Sequence, residues 1–383
     1  MGRTWPGIGL AGNDEGARLT RQLIILGIRG VPAAHGGFET FAERLVLFLR
    51  DRGWQVTVYC QSEGSRRVED EWEGIHRIHI PANLANAAGT IEFDLKCVAD
   101  VSKRSGLILT LGYNTGFLST WLRLRGRRNL INMDGLEWKR AKYSGAARAY
   151  LWVNERLAAW SGNKLIADHP VIADHLATRA AQKKIVTIPY GGDHVPDASP
   201  APLAALSLAP EKFFTVIARP EPENSILEIV TAYSARPRGA KLALLGRFDR
   251  SVPFQAAVLD AAGPEVVFTG PIYDKDVLAA LRYHSVAYIH GHRVGGTNPS
   301  LVEALGAGNA IIAHDNPFNR WVAGDAALFF GDNAACDAAI GALLNDHSLR
   351  DRLRSAARAR WTDEFTWPTI LEKYRVELER AAA

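Results

Sequence analysis

The chain has 383 residues, 22% charged and 47% hydrophobic, with a formal charge of +4. That hydrophobic share excludes wholesale disorder, and the length predicts two domains at roughly 100–200 residues each. No run reaches the ~18 apolar residues of a membrane-spanning helix, and residues 1–20 lack an apolar signal core, so they read as a loose leader. Cys60, Cys97 and Cys336 are scattered with no CxxC, which argues against a disulfide scaffold or a cysteine zinc site and suits a reducing cytoplasm. Residues 21–193 carry 24 basic and 17 acidic residues; residues 194–383 carry 19 and 22. A basic front half fits either an anionic partner or an ordinary solvated surface.

Apolar strand-sized runs fall at Gln22–Ile28, Gln55–Cys60, His76–Ile80, Gly106–Leu111, Asn129–Met133, Lys164–Ala167 and Lys184–Ile188. Helical patterns lie between them at Glu39–Arg52, Glu92–Ser105, Gly116–Arg125, Ala146–Ala159 and Val171–Thr178. This alternation predicts a doubly wound α/β sheet. The proline-rich stretch Asp193–Pro210 reads as a linker, with a boundary near residue 195. A second series follows, with strands at Phe213–Ala218, Lys241–Leu245, Val266–Thr269, Val286–His290, Ala310–Ala313 and Ala327–Phe330. Its helices read at Ser225–Tyr233, Pro253–Ala262, Lys275–Tyr283, Pro299–Gly306, Ala334–Asn345 and Ser348–Thr362, and Thr366–Arg380 forms a terminal amphipathic helix. Ligands bind such sheets at the carboxyl ends of the strands, so the loops there carry the chemistry.

Four such loops stand out. Gly27–Phe41 holds four glycines between a strand and a helix, suiting close backbone approach and anion binding by free N–H groups. It has neither G-x-G-x-x-G nor P-loop spacing, and a tight turn alone would also use the glycines. His290–Glu303 repeats the pattern: Asn298 can cap, Pro299 suits the first helical position, and Ser300-x-x-Glu303 can form a capping box. His290 and His292 share a strand face, but no third ligand completes a metal site. Arg219, at the end of a strand, can fork a diphosphate or pair with Glu221 or Glu223. Asn132–Lys142 offers Asp134 and Glu137 as acid/base groups and Arg140 and Lys142 as anion binders, or else a DG turn on a solvated helix start. Asp274-Lys275-Asp276 reads as a helix cap rather than a metal motif.

With these loops placed, the chain resembles the retaining family 4 glycosyltransferases of GT-B fold, and within them the bacterial capsule and exopolysaccharide beta-1,4-rhamnosyltransferases. The resemblance rests on Gly27–Phe41, Asn132–Lys142, Ala218–Asn224, Phe268–Asp274, Tyr288–Glu303 and His314–Asn319. It implies two Rossmann-like domains with parallel sheets facing across a cleft: an acceptor domain at 21–195, a nucleotide-sugar domain at 196–365, and a C-terminal helix at 366–383 packing back on the first. It implies catalytic roles for Asp134, Arg219 and Glu303. Arg219 would neutralise the leaving diphosphate, Glu303 would hold the ribose, and Asp134 would act at the acceptor hydroxyl or the donor sugar. Gly30, Gly36, Gly37, Asn224, His290, His292, Gly296, Thr297 and Asn298 would complete the donor site, with Pro271 and Ile272 at the base. Phe38, Glu39, Glu137, Arg140 and Lys142 would meet the acceptor. Three positions depart from the wider family: Gly295 replaces the first Glu of its Glu-x7-Glu, Asn224 replaces the Lys of its Arg-x4-Lys, and Asp134 stands where a cleft His is common.

The expected activity is transfer of L-rhamnose from dTDP-L-rhamnose, with retention and without cofactor or metal, to a lipid-linked saccharide. Alternatives are another donor such as a UDP-hexose, an epimerase of nucleotide sugars, or a non-catalytic nucleotide-sugar-binding module. The apolar Gly116–Leu122 stretch with Trp121, followed by Arg123, Arg125, Arg127 and Arg128, has the composition of a membrane-surface contact. A cytoplasmic protein, peripheral at an anionic membrane and with no nucleic-acid partner, is the resulting expectation.

Overall fold

The computed structural model describes residues 21–34, 36–83, 87–140 and 142–382. The leader expected at 1–20, and His35 and Ala141 within their motifs, lie outside the described residues. The first half runs β1 (Gln22–Leu26), α1 (Gly37–Arg50), β2 (Gln55–Ser62), β3 (Val68–Trp72), β4 (Ile75–Pro81), α2 (Ala87–Val101) and β5 (Leu107–Leu111). It continues with α3 (Gly116–Leu124), β6 (Asn129–Asn132), α4 (Gly145–Ser161), β7 (Lys164–Ala167), α5 (Pro170–Ala177) and β8 (Ile185–Thr187). These strands form one eight-stranded sheet in the order β3-β4-β2-β1-β5-β6-β7-β8.

β3 runs antiparallel to β4, and the hydrophobic pattern did not predict it. Its sequence, VEDEW, is almost wholly exposed. It is held by charge across the pair: Arg77 Nη2 meets Asp70 Oδ2 at 2.6 Å and His76 Nε2 meets Glu69 Oε2 at 2.9 Å. Such a charged edge also discourages further strand addition.

The second half runs α6 (Ala201–Ala205), β9 (Phe213–Ile217), α7 (Ile226–Ser234), β10 (Lys241–Leu245), α8 (Pro253–Ala261), β11 (Val266–Gly270), α9 (Lys275–Tyr283) and β12 (Tyr288–His290). Then come α10 (Pro299–Gly306), β13 (Ile311–His314), α11 (Pro317–Ala323), β14 (Ala327–Phe330), α12 (Asn333–Asn345), α13 (His347–Glu364) and α14 (Trp367–Ala382). The sheet is parallel, in the order β11-β10-β9-β12-β13-β14. Both faces are apolar, as a parallel sheet between helices requires. Phe214, Val216, Leu242 and Leu244 pack on α7 and α12, while Tyr288, Ile311 and Ala313 pack on Leu301 and Leu305 of α10. Two short helices were not anticipated: α6, inside the proline-rich stretch, and α11, which Asn316 caps by accepting the Asn319 N–H at 3.0 Å.

Two compact units result. One contains the described residues up to Met133, Asn154–Ile166, and the chain from Tyr374 onward; the other contains Asp134–Val153 and Ala167–Lys373. In the first unit, the ring of Tyr374 of α14 lies tilted against Phe41, centroids 4.5 Å apart, and its hydroxyl accepts from Asn132 Nδ2 at 2.8 Å. Glu377 meets Lys164 at 3.2 Å. In the second unit, the loops after β6, β7, β9 and β12 come together.

Candidate functional site

The site in the second unit is built from these four loops. After β6, Asp134 adopts a left-handed backbone (φ 50°). Burial, reinforced by Glu137, pushes its carboxyl up to about 6; the Gly135 N–H, Arg140 and Lys142 oppose the shift. The neighbouring Gly135 lies against Gly295 and Gly296 in ordinary contact. Glu137 pairs with Arg140 at 3.1 Å and accepts from the Tyr143 hydroxyl at 3.2 Å. Arg140 also approaches Glu223 at 3.6 Å. Lys142 lies 5.0 Å over the Tyr143 ring.

The loop after β7 supplies a residue that the sequence reading passed over. Asp168 follows the apolar KLIA strand directly, the same signal that marked the other loops. Its Oδ2 accepts from the Thr297 N–H at 2.8 Å, and its carbonyl accepts from the Thr297 hydroxyl. Its Oδ1 is buried without a hydrogen-bond partner among the described residues. Desolvation, with Asp134 as a secondary cause, raises this carboxyl to about 7. A Cβ on Gly296 would sit 2.1 Å from that Oδ1. Gly296 therefore admits a side-chain carboxyl, where the sequence suggested a phosphate.

Arg219, after β9, is exposed, and among the described residues its guanidinium has no carboxylate partner. The pairing with Glu221 or Glu223 considered from the sequence does not form, because Glu223 turns to Arg140. Asn224 is buried and donates to the Arg219 carbonyl at 2.8 Å. It clips the Arg219 turn, an indirect role in place of the donor contact expected for it.

After β12, His290 and His292 stack at 4.3 Å, 10° from parallel. His290 is driven well below its ordinary range, and His292 down to about 3, by burial first and then by neighbouring positive charge: His292 for the one, Arg140 and Arg219 for the other. Both rings are therefore neutral at physiological pH, with His290 Nε2 and His292 Nδ1 buried and unpartnered among the described residues. No group of three or more metal-ligating side chains occurs among the described residues.

Asn298 caps α10, accepting from the Ser300 N–H at 3.1 Å. The capping box suggested for Ser300 and Glu303 is absent: Ser300 donates to Asn298 and accepts from Tyr288, while Glu303 pairs with Arg282 of α9. Glu303 is thereby oriented by a cation and only half buried. Pro271 is exposed, and Ile272 packs against the Leu203 and Leu281 cluster. Asp274 caps α9 as read, accepting from the Asp276 and Val277 N–H groups at 2.9 and 3.1 Å.

The remaining expected residues lie in the first unit. Gly30 (φ 146°) is pressed against Cys60, where a Cβ would come within 2.9 Å of the sulfur. Gly36 is extended (φ 176°) and caps α1, which Gly37 begins. Glu39 is buried and accepts from the Arg29 N–H at 3.2 Å, and the Phe38 ring lies 3.9 Å from the position of a Gly112 Cβ. On α3, Trp121 is 44% exposed beneath Arg125 at 4.5 Å, and Arg123 lies 5.0 Å over Trp160. Arg127 is half-buried and donates to the Gly106 carbonyl at 2.7 Å, and Arg128 donates to the Ala381 and Ala382 carbonyls at the end of α14. Arg123 likewise donates to a backbone carbonyl, that of Ser161 at 3.4 Å, so of the four arginines Arg125 is the one whose side chain has no backbone contact among the described residues.

A family profile described only as a domain of unknown function (DUF1972) matches residues 20–193. No curated protein matches the sequence. Among solved structures, a sucrose-phosphate synthase from Thermosynechococcus elongatus is similar at a TM-score of 0.81 and 19% identity, over 94% of this chain and 98% of that one. Anabaena HepE in complex with UDP follows at 0.72 and 15%, over 94% and 100%. The Escherichia coli trehalose-6-phosphate protein bound to UDP-2-fluoro glucose stands at 0.72 and 12%, over 94% and 99%. The chain has the GT-B fold.

Proposed function

We propose that this protein is a retaining glycosyltransferase that takes its sugar from a nucleotide sugar. The observation that carries the reading is Arg219. It is a cation with no carboxylate partner among the described residues, at the carboxyl end of a parallel strand. Its charge and that of Arg140 depress His292, so all three share one electrostatic environment. A leaving diphosphate needs such a charge, and the N-terminus of α10 adds a second favourable field. Front-face attack, with the leaving phosphate taking the acceptor proton, requires no protein nucleophile and no metal. Asp134 would orient or deprotonate the acceptor hydroxyl, and Glu303, steered by Arg282, would hold the ribose.

The finer reading is L-rhamnose from dTDP-L-rhamnose, passed to a lipid-linked saccharide in capsule or exopolysaccharide synthesis; its support is the motif set of the sequence. A UDP-hexose donor is the second reading, favoured by the similar HepE structures in complex with UDP and with UDP-glucose. Thermal shift and donor hydrolysis with dTDP-rhamnose, UDP-glucose and GDP-mannose decide between them. The rhamnose reading expects dTDP-rhamnose to give the largest shift, and preference for a UDP or GDP sugar overturns it.

Attachment to an anionic membrane surface belongs to the same proposal. Phe117, Trp121 and Leu124 lie along one face of α3, all exposed, and Leu118 and Leu122 fill the opposite face. Trp160 of α4 extends the apolar patch, with Arg123 and Arg125 over its rings. Aromatic residues flanked by arginines suit a headgroup layer.

A further inference from the structure

The first unit contains a cavity of about 260 Å³ at the carboxyl ends of β1 and β5, walled by α2 and α3. Its volume is just under the ~300–1,000 Å³ usual for small-molecule sites, enough for one ring rather than two. Its polar lining is mostly uncharged: Thr90, Thr110, Asn114, Thr115 and Ser119. Phe93 and Leu118 supply an apolar wall. The charged groups facing it are the carboxyls of Asp94 and Glu39 and the exposed Arg29.

Asp94 is the anomaly. It is largely buried, accepts from the Thr115 hydroxyl at 2.8 Å, and has no cationic partner among the described residues. Burial raises its carboxyl to about 6, with only the Thr115 bond opposing. A buried, unpaired carboxyl is costly, and folds keep few of them without a use. Its one hydrogen bond among the described residues is from the Thr115 hydroxyl, just before α3, and an uncharged acceptor could also take it.

We propose that this cavity receives the terminal, uncharged sugar ring of the acceptor, with Asp94 accepting hydrogen bonds from ring hydroxyls. Hydroxyl and amide walls match a polyol, and an apolar wall matches the C–H face of a pyranose. Two carboxyls against the single exposed Arg29 leave the lining net acidic, which disfavours an anionic ring such as a uronate or a sugar phosphate. This rests on the glycosyltransferase reading and narrows its acceptor to a neutral terminal sugar.

Saturation-transfer NMR on the full chain tests it, using methyl glycosides of glucose, galactose and rhamnose beside glucuronate and glucose 6-phosphate. At least one neutral glycoside should bind, the two charged sugars should not, and Asp94→Asn should weaken the neutral ligand at least ~10-fold, the scale of a lost bond to a charged group. Binding of UDP and dTDP should be unchanged in that variant. If Asp94→Asn fails to fold, Thr90→Trp obstructs the cavity from an exposed position and should give the same loss. No neutral glycoside bound, undiminished binding in the variants, or preference for a charged sugar overturns the proposal. Failure of wild-type protein to bind any nucleotide sugar sinks the glycosyltransferase reading instead, while the glycoside result still decides what the cavity accepts.

Discussion

The loop from Gly27 to Phe38 and the loop from Gly291 to Asn298 carry the same sequence signature, glycines between a parallel strand and a helix, yet their glycines meet different demands. In the first loop the fold itself needs them. Gly27 (φ 86°) faces the Leu111 carbonyl, 2.2 Å from where a Cβ would sit, and Gly30 (φ 146°) faces Cys60. In the second loop Gly295 (φ 139°) borders open space and Gly296 borders a carboxyl with one unsatisfied oxygen. Each loop also receives a carboxylate from the protein: Glu39 on the Arg29 N–H, Asp168 on the Thr297 N–H. A glycine run announces that something comes close; only the neighbours say whether it is the protein or a ligand.

The largest expected effect tests whether the site in the second unit, to which the second loop belongs, is the one that works on an anion. Arg219→Ala should lower kcat by ~10²–10³-fold, the scale of losing one charge-stabilising donor in a transition state. Thermal stability should be unchanged, because the guanidinium is exposed and holds no carboxylate partner among the described residues. Wild-type turnover would move the diphosphate site away from β9 and remove the contrast between the loops.

Next in size is Gly296→Ala. The new methyl must displace the Asp168 carboxyl, so a loss of roughly 2–3 kcal/mol of unfolding free energy is expected, comparable to overpacking a core. The decisive measurement is the double variant with Asp168→Ser. If the glycine serves Asp168, the two losses are strongly non-additive by denaturant melts. Additive losses would mean that the glycine serves the backbone, as in the first loop.

Asp168→Asn comes third and has a definite sign with pH. The unfolded carboxyl releases its proton near 3.8 and the folded one near about 7, so between these values the folded state binds more protons. Stability therefore falls as pH rises through that window, by on the order of 2–4 kcal/mol from this residue alone. The amide removes that penalty. Melting should rise by several degrees at pH 8, at ~2–4 °C per kcal/mol, and change little at pH 4. Binding of UDP or dTDP should also tighten at pH 8, since a diphosphate nearing the Thr297 N–H no longer meets a carboxylate. An equal shift at both pH values would show Asp168 to be neutral throughout.

The fold was legible because its strands are apolar on both faces and its helices carry caps: Lys241–Leu245, Lys275–Tyr283, Pro299–Gly306 and Ala327–Phe330 lie where periodicity and capping place them. β3 was not legible, since its partners are charges on another strand and not an apolar face of its own. In the site, Asp134, Arg219 and His292 could be read as polar residues after strands, and the structure brings them into one electrostatic neighbourhood through Arg140. Asp168 carried the same mark, directly after a strand and shortly before the helix expected from Val171, and was passed over. Its meaning comes from Thr297, 129 positions away, and no local pattern encodes that separation. Asn224, Arg127 and Arg128 failed the opposite way: polar and near the right place, they are spent on backbone carbonyls that only the tertiary structure supplies.

The smallest effect separates folding from function inside the first loop. Gly36 sits in an extended conformation open to any residue, and a Cβ there would stand 3.2 Å from a Glu39 oxygen, a contact that a flexible side chain relieves. Ser is at least as good a helix cap as Gly, so Gly36→Ser should change stability by no more than about 0.5 kcal/mol. Folding thus makes no claim on this glycine, in contrast to Gly27 and Gly30. Michaelis constants for donor and acceptor measured on a stably folded Gly36→Ser protein then read ligand approach alone. A raised donor constant would show that the donor approaches Gly36. Unchanged constants would leave it to the second unit, whose loops hold a half-satisfied carboxyl, a glycine bordering open space and an arginine with no carboxylate partner among the described residues.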